Sequence, residues 1–303
     1  MNTVAETSAS VARRARPHLG TIVEISAAPT AGVDVESAIG SAFQAVDKVQ
    51  RLMSYHDPFS ELSRINSKAW RAPVQVSPWT FEVLETAQAL AEESGGAFDI
   101  TIAPRLASWG YLPRNPANRY GELRATWRDL VLHRGRLVSF RRPLHVDLGG
   151  IAKGFAADRA VDALRAAGVT RGLVNAGGDL RAFGPDEWPV QIRHPRDPGA
   201  TGHAFAMRDG AVATSATYFS RKRWRKCWVC PLVDGRTRLP CDDSSSVTVH
   251  APSALLADAL TKVVFALREE SAPILQRHGA SALLLDRDGQ CAFIAAEASA
   301  PSA

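Results

Sequence analysis

Hydrophobic positions along the chain follow two rhythms. From Val35 the apolar residues Val35, Ile39, Ala42, Val46, Val49 and Met53 recur at steps of three and four, which predicts an amphipathic helix over 34–53. "SPWTFEVLETAQALAEESGG" (77–96) predicts a second helix, with Ser77 as its cap, Pro78 in its first turn and Gly95 after its end. Two more are expected over 153–167, stopped by Gly168, and over 255–268. Between them lie short runs rich in β-branched residues, "GTIVEIS" (20–26), "GLVNA" (172–176), "AVATSA" (211–216) and "SVTVHA" (246–251), which read as strands. Hairpins are expected around Arg134-Gly135 and around Asp288-Gly289, and residues 111–120 read as a loop. Helices and hairpins interleave without a regular strand–helix–strand rhythm. The expected class is therefore α+β, one domain without internal repeats.

Composition narrows the picture only a little. A chain of 303 residues can bury a substantial core. Its 36 basic against 31 acidic side chains give a net charge of +5, which hints at an anionic ligand and is too small to imply nucleic acid. The basic run "RKRWRK" (221–226) reads either as a contact for an acidic surface or nucleic acid, or as a solvated loop, and no nucleic-acid partner is assigned. No apolar run approaches the roughly 18 residues of a spanning helix, so the chain is not expected to cross a membrane. Arg13-Arg14 is followed by Pro17, His18 and a strand-like segment, with no apolar core or cleavage site of an export signal. Residues 1–16 are expected to be a disordered arm before a domain over 17–298, and the protein to be cytoplasmic. The four cysteines suit a reducing compartment, and Cys227-x-x-Cys230 with Cys241 lacks the second pair or histidine spacing of a zinc site.

Three stretches carry candidate chemistry. In "HVDLGGIAKGFAAD" (145–158) a strand is expected to end at Asp147, the chain to turn at Gly149-Gly150, and a helix to begin near Ala152-Lys153. Glycine lets backbone approach a ligand closely, and a helix start offers N–H groups and the positive end of a dipole. Two readings fit: a seat for a phosphate or diphosphate with Asp147 bonding a sugar or base, or a tight turn with a solvated lysine. "NAGGDL" (175–180) presents the same choice at Gly177, Gly178 and Asp179. In "LLADALTKVVFAL" (255–267), Asp258 sits on a mostly apolar helix, with Thr261 and Lys262 three and four residues on along the same face. Asp258 and Thr261 would offer hard oxygen ligands to Mg²⁺, or else Asp258 pairs with Lys262.

Together these stretches resemble the ApbE family, the FAD:protein FMN transferases. The matching segments are "LMSYHDPFSELSRIN" (52–66), "GAFDITIAP" with "WG" (96–110), "DLGGIAKGFAADRAVDAL" (147–164), "LVNAGGDLRAFG" (173–184), "AVATSATYFS" (211–220) and "SVTVHAPSALLADALTKVVFAL" (246–267). The resemblance implies a two-lobed single domain with a mixed, largely antiparallel sheet flanked by helices. It also implies FAD as substrate, Mg²⁺ on its diphosphate, transfer of FMN to a threonine or serine of a target flavoprotein, and release of AMP. By position it assigns Met53, Tyr55, Ala97, Phe98, Asp99, Asp147, Gly149, Lys153, Gly177, Gly178 and Asp179 to the cofactor. It assigns the Gly150 carbonyl, Asp258 and Thr261 to the metal, and Asp258, Lys153 and Lys262 to catalysis.

The chain departs from the family pattern in two places. Lys262 stands four residues after Asp258, where a threonine or small residue is usual, so Thr261 is expected to take the metal-side role. The family's "HIIDPRTG" appears as "PLVDGRTRLP" (231–240), so its flavin-side histidine falls on Pro231; His250 is a candidate replacement base or a structural histidine. These losses keep two alternatives open: a non-catalytic FAD-binding protein, and an FAD hydrolase yielding AMP and FMN.

Overall fold

A computed structural model of the chain describes residues 11–113, 124–197, 199–218, 220–241 and 245–295. The chain opens with a hairpin of β1 (Ala12–His18) and β2 (Thr21–Ala27), turned by Leu19 and Gly20 at positive φ. Then come α1 (Val35–Met53), α2 (Glu61–Lys68), β3 (Val74–Gln75), α3 (Pro78–Glu93) and α4 (Ala103–Trp109). The hairpin β4 (Leu130–His133) and β5 (Leu137–Phe140) precedes α5 (Ala152–Ala166). Next are β6 (Gly172–Ala176), β7 (Asp179–Phe183), β8 (Trp188–Arg193), β9 (Thr201–Met207) and β10 (Gly210–Ala216). Two short hairpins follow, β11 (Lys222–Trp224) with β12 (Cys227–Val229), and β13 (Val233–Asp234) with β14 (Leu239–Pro240). The chain ends through β15 (Ser246–Ala251), α6 (Ala254–Leu267), α7 (Ala272–Arg277), β16 (Ser281–Leu285) and β17 (Cys291–Ile294).

Eight strands form one sheet in the order β1-β2-β6-β7-β10-β15-β16-β17, and every neighbouring pair is antiparallel. The α+β class holds. β1 corrects the expected arm: residues 12–16 are an edge strand, and Arg13 pairs with Glu24 of β2 at 2.6 Å. A basic edge strand containing Pro17 has little apolar pattern to reveal it, because edge strands tolerate proline and charge. Residues 1–10 of that arm, 114–120 of the expected loop and 296–298 of the expected domain lie outside the described residues.

The helices that carry the site lie on one face of this sheet. α5 packs on β6 and β7, α6 packs on β10 and β15, and α1 packs on α5. The other face is covered by the β8–β9 hairpin, whose Trp188, Val190 and Met207 pack with Leu173, Leu180 and Val212. Strands buried on both faces read as continuous apolar runs, as "GLVNA" does. A smaller sheet, β3-β5-β4, completes the structure.

Helix starts follow the caps written in the sequence. Ser77 accepts from Thr80 N at 3.2 Å, Asp34 from Ser37 N at 3.1 Å, and Ser60 from Ser63 N at 3.0 Å. Residues 145–147 are not the strand expected there. They form an extended segment held from the side: Asn66 of α2 donates to Val146 O (2.9 Å) and accepts from Val146 N (2.8 Å). Asp147 N donates to Ile100 O at 2.8 Å. Here a side-chain amide and a single carbonyl take the place of a neighbouring strand.

Candidate active site

Two glycine corners and one helix meet beneath the 145–150 segment. At the first corner Gly149 N donates to Asp147 Oδ1 (3.2 Å), and Ala152 N to Leu148 O (2.8 Å), which winds the chain into α5. At the second, Gly177 (φ 68°) and Gly178 (φ 104°) close the β6–β7 hairpin in a two-residue turn that requires left-handed backbone. Asn175 Oδ1 accepts from Gly178 N at 2.8 Å, and the turn delivers Asp179 to the first position of β7.

Close helix packing brings Asp258 to the same place. A Cβ added at Gly154 of α5 would collide with the backbone carbonyl of Ala254 in α6, so only glycine permits this contact. Asp158, one turn further along α5, accepts from Ala254 N and Leu255 N, each at 2.9 Å, and so caps α6 from a neighbouring helix. With the helices locked in this way, Gly154 N donates to Asp258 Oδ2 at 3.2 Å. The start of α5 is therefore not a row of open N–H groups.

Four charged side chains close the cluster. Lys153 Nζ bonds Asp179 Oδ2 and, at 3.2 Å, Asp258 Oδ2. Lys262 Nζ bonds Asp258 Oδ1 and, at 2.8 Å, the Asp258 carbonyl. Asp258 is fully buried and Asp179 almost so. Burial pushes the Asp258 carboxyl up, but the Lys153 and Lys262 ammoniums outweigh it and hold the group down at about 2. Asp179 is driven to about 6 by burial and by the Asp258 charge, against the pull of Lys153. Burial disfavours charge on Lys153, yet the two carboxylates raise its pKa and keep it an ammonium. Asp147 is also pushed up by burial, partly offset by its bond from Gly149 and by nearby His56.

The remaining expected residues separate into neighbours and framework. His56 places the 53–56 segment beside Asp147; Met53 packs in the core at the end of α1, and Tyr55 is half-buried. Ala97, Phe98 and Asp99 are buried, and Ala97 O accepts from Gly235 N at 2.9 Å. Asp99, expected as a ligand contact, brackets the surrounding backbone. It accepts from Thr101 N (2.8 Å), Thr101 Oγ1 (2.8 Å), Trp127 N (3.2 Å) and Arg238 Nη2 (2.9 Å). Beside it opens a cavity of about 680 Å³ lined by Gly96, Arg105, Arg124, Trp127, Arg128, Arg236 and Arg238 among others. Arg236 Nη2 donates to Ala266 O (3.2 Å), which lies two turns, about 12 Å, along α6 from Asp258. His250 lies against Gly210 and Arg181, at the end of β15 away from the Ser215–Thr261 contact, and burial lowers its pKa.

Three positioning residues escaped sequence reasoning. Asn66 and Asp158 carry no local motif, since each acts on backbone far away in sequence. Arg238 had a signal, its place in the divergent 231–240 segment, but not a role.

Comparison with known proteins places the chain in a family and a fold. The sequence profile of the ApbE family matches residues 19–284. The chain belongs to the ApbE family. An FAD:protein FMN transferase of Treponema pallidum is 31% identical over 315 residues, covering 91% of this chain and 84% of that protein. One from Klebsiella pneumoniae is 29% identical, with 84% and 83% covered. The crystal structure of the ApbE protein of Thermotoga maritima superposes with a TM-score of 0.84 at 26% identity, over 93% of this chain and 96% of its own. As an ApbE protein the chain has an antiparallel sheet with helices, and its cluster falls within the matched span.

The divalent ion implied for ApbE proteins does not fit the oxygens as they stand. Both carboxylate oxygens of Asp258 accept from ammoniums, and its carbonyl accepts from Lys262 and from Thr261 Oγ1 (2.7 Å). Thr261, expected as a metal ligand, shares its hydroxyl with Ser215 at 2.8 Å. A Cβ added at Gly150 would lie 3.3 Å from Lys262 Cε, so the lysine stem covers that glycine. Among the described residues no group of three or more His, Cys, Asp or Glu side chains is placed to hold a metal ion. Cys227 is exposed, while Cys230 is buried and donates to Leu232 O at 3.3 Å.

Proposed function

We propose that the chain is an FAD:protein FMN transferase, moving FMN from FAD to a threonine or serine hydroxyl of a target flavoprotein. The observation that carries this reading is the convergence of Lys153, Lys262, Asp179 and Asp258 beside Gly150, in a chain of the ApbE family. The acceptor oxygen attacks the phosphorus on the riboflavin side, the bond to the bridging oxygen breaks, AMP leaves with that electron pair, and the hydroxyl proton passes to solvent water. Such a reaction is catalysed chiefly by positioning and by neutralising the phosphoryl oxygens, which Lys153 and Lys262 supply. Asp147 is set to bond the sugar or base, with the 53–56 and 97–99 segments as neighbouring walls. The oxygens that the family resemblance implies for magnesium are engaged by Lys153, Lys262 and Ser215.

We place the protein in the cytoplasm, where its four free thiols would persist. Among the described residues no helix is long and apolar enough to cross a membrane. Pro231, where the family pattern has a histidine, favours a second reading in which FAD is bound or hydrolysed without transfer. One experiment separates these. The protein is incubated with FAD and an acceptor domain bearing a target threonine, and the products are resolved on a denaturing gel and assayed for AMP. Fluorescent acceptor with AMP is the expected result; AMP without label means hydrolysis, and retained FAD with neither product means binding alone.

A further inference from the structure

We infer that the Lys262 ammonium holds the position a divalent cation would take, so that two lysines and no metal ion grip the diphosphate of FAD. The inference rests on the flavin reading above and adds to it the means of charge neutralisation.

Three observations point the same way. A magnesium ion demands near-octahedral oxygens at about 2.1 Å, and the oxygens offered here by Asp258 already serve two ammoniums. Lys262 reaches Asp258 from four residues on in the same rigid helix, contacting both the carboxylate and the carbonyl, so its ammonium is tethered and not a passing surface charge. Its stem lies against Gly150, with Cε 3.3 Å from where a Cβ on that glycine would sit, while its ammonium reaches Asp258, so one side chain joins the two positions assigned to the ion. Placing a dication there would set it against two ammoniums within a few ångströms, and displacing Lys262 would strip a fully buried carboxylate of one partner. A lysine ammonium is itself a competent phosphate binder, as a compact charge with three donors.

The test uses the full chain and has readouts besides turnover. FAD affinity is measured by quenching of flavin fluorescence in excess EDTA and again in millimolar Mg²⁺, and Mn²⁺ alone is titrated by electron paramagnetic resonance. The expected result is an FAD dissociation constant equal within about twofold in the two conditions, with no Mn²⁺ site tighter than about 1 mM. Lys262→Thr should lose about tenfold or more in FAD affinity in EDTA and regain it with Mg²⁺, because the vacated gap then admits the ion. Lys262→Met, which keeps the stem without the charge, should bind FAD weakly in both. A native affinity that falls about tenfold or more on chelation, or a micromolar Mn²⁺ site in the native chain, overturns the inference and leaves the flavin reading intact. Failure to bind FAD in either condition overturns the flavin reading itself, and this inference with it.

Discussion

The Asp258 cluster and the arginine-lined cavity around Trp127 are built from the same kinds of residue and behave differently. In the cluster, two lysines face two carboxylates that are buried, and every contact comes from a helix or a strand end. Around the cavity, Arg105, Arg124, Arg128, Arg236 and Arg238 outnumber Asp99 and Asp234, and most stand on loops and short hairpins. The first region is charge-balanced and close-packed, which suits holding one small anionic group in a fixed pose. The second is cationic and open, which suits receiving something larger. What decides the difference is burial and not residue type: an ion pair out of water is costly to break, whereas an exposed pair contributes little.

Removing one partner from each buried ion pair tests this directly. Asp258→Ala leaves Lys153 and Lys262 facing each other without their shared carboxylate. Stability should fall by about 3–5 kcal/mol and FMN transfer should drop below detection; undiminished turnover would remove Asp258 from the site. Arg238→Ala is the matching break at the cavity. Its Nη2 donates to Ala125 O (2.6 Å), Asp99 Oδ2 (2.9 Å) and Thr101 Oγ1 (3.1 Å), tying the 97–101 and 124–127 segments to the β13–β14 turn. The loss should be about 3 kcal/mol, read as a urea midpoint, because Asp99 stays buried with fewer partners. A loss below about 1 kcal/mol would mean that this bracket is ornamental.

The asymmetry between the regions also decided what could be read beforehand. Helices α1, α3 and α6 were legible from period and caps, and the glycine corners from Gly149-Gly150 and Gly177-Gly178, because these signals are local. The sequence also placed Asp258, Thr261 and Lys262 on one helical face. It did not show which neighbour takes the carboxylate, since residues at three and four along a helix are equally near and only packing against Gly150 selects the lysine. Around the cavity little was legible. β11 to β14 are two or three residues long, too short for any periodicity. Asn66, Asp158 and Arg238 act on backbone remote in sequence, and nothing in their own neighbourhoods announces it.

A smaller effect follows from the opposite pKa shifts of the two clustered carboxylates. Asp179 has a folded value of about 6 against an ordinary 3.8, so the folded chain keeps a proton that the unfolded chain releases. Its contribution is present below the ordinary value and is lost as pH rises through about 6. Asp258, held at about 2, does the reverse: it stabilises above 3.8 and the gain disappears as pH falls toward 2. Between about pH 4.5 and about pH 7 the native chain should lose up to about 2 kcal/mol relative to Asp179→Asn, measured from urea midpoints. Parallel pH profiles for the two proteins would show that Asp179 ionises normally.

The smallest predicted effect sharpens the contrast most. Arg236 makes a good pair with Asp234, with Nε to Oδ1 at 3.1 Å and Nη2 to Oδ2 at 2.8 Å, and its backbone N also donates to Oδ1 at 2.9 Å. Its geometry is that of a good ion pair, yet the Arg236 side chain is 40% exposed. Water and salt then supply most of what the carboxylate supplies, and the backbone bond survives truncation. Arg236→Ala should therefore cost less than about 1 kcal/mol, and raising the salt should shrink even that. If Arg236→Ala instead destabilised the chain as much as Arg238→Ala, burial would not be what sets the strength of these ion pairs. The cavity would then have to be treated as a second rigid site, not as an open cationic surface.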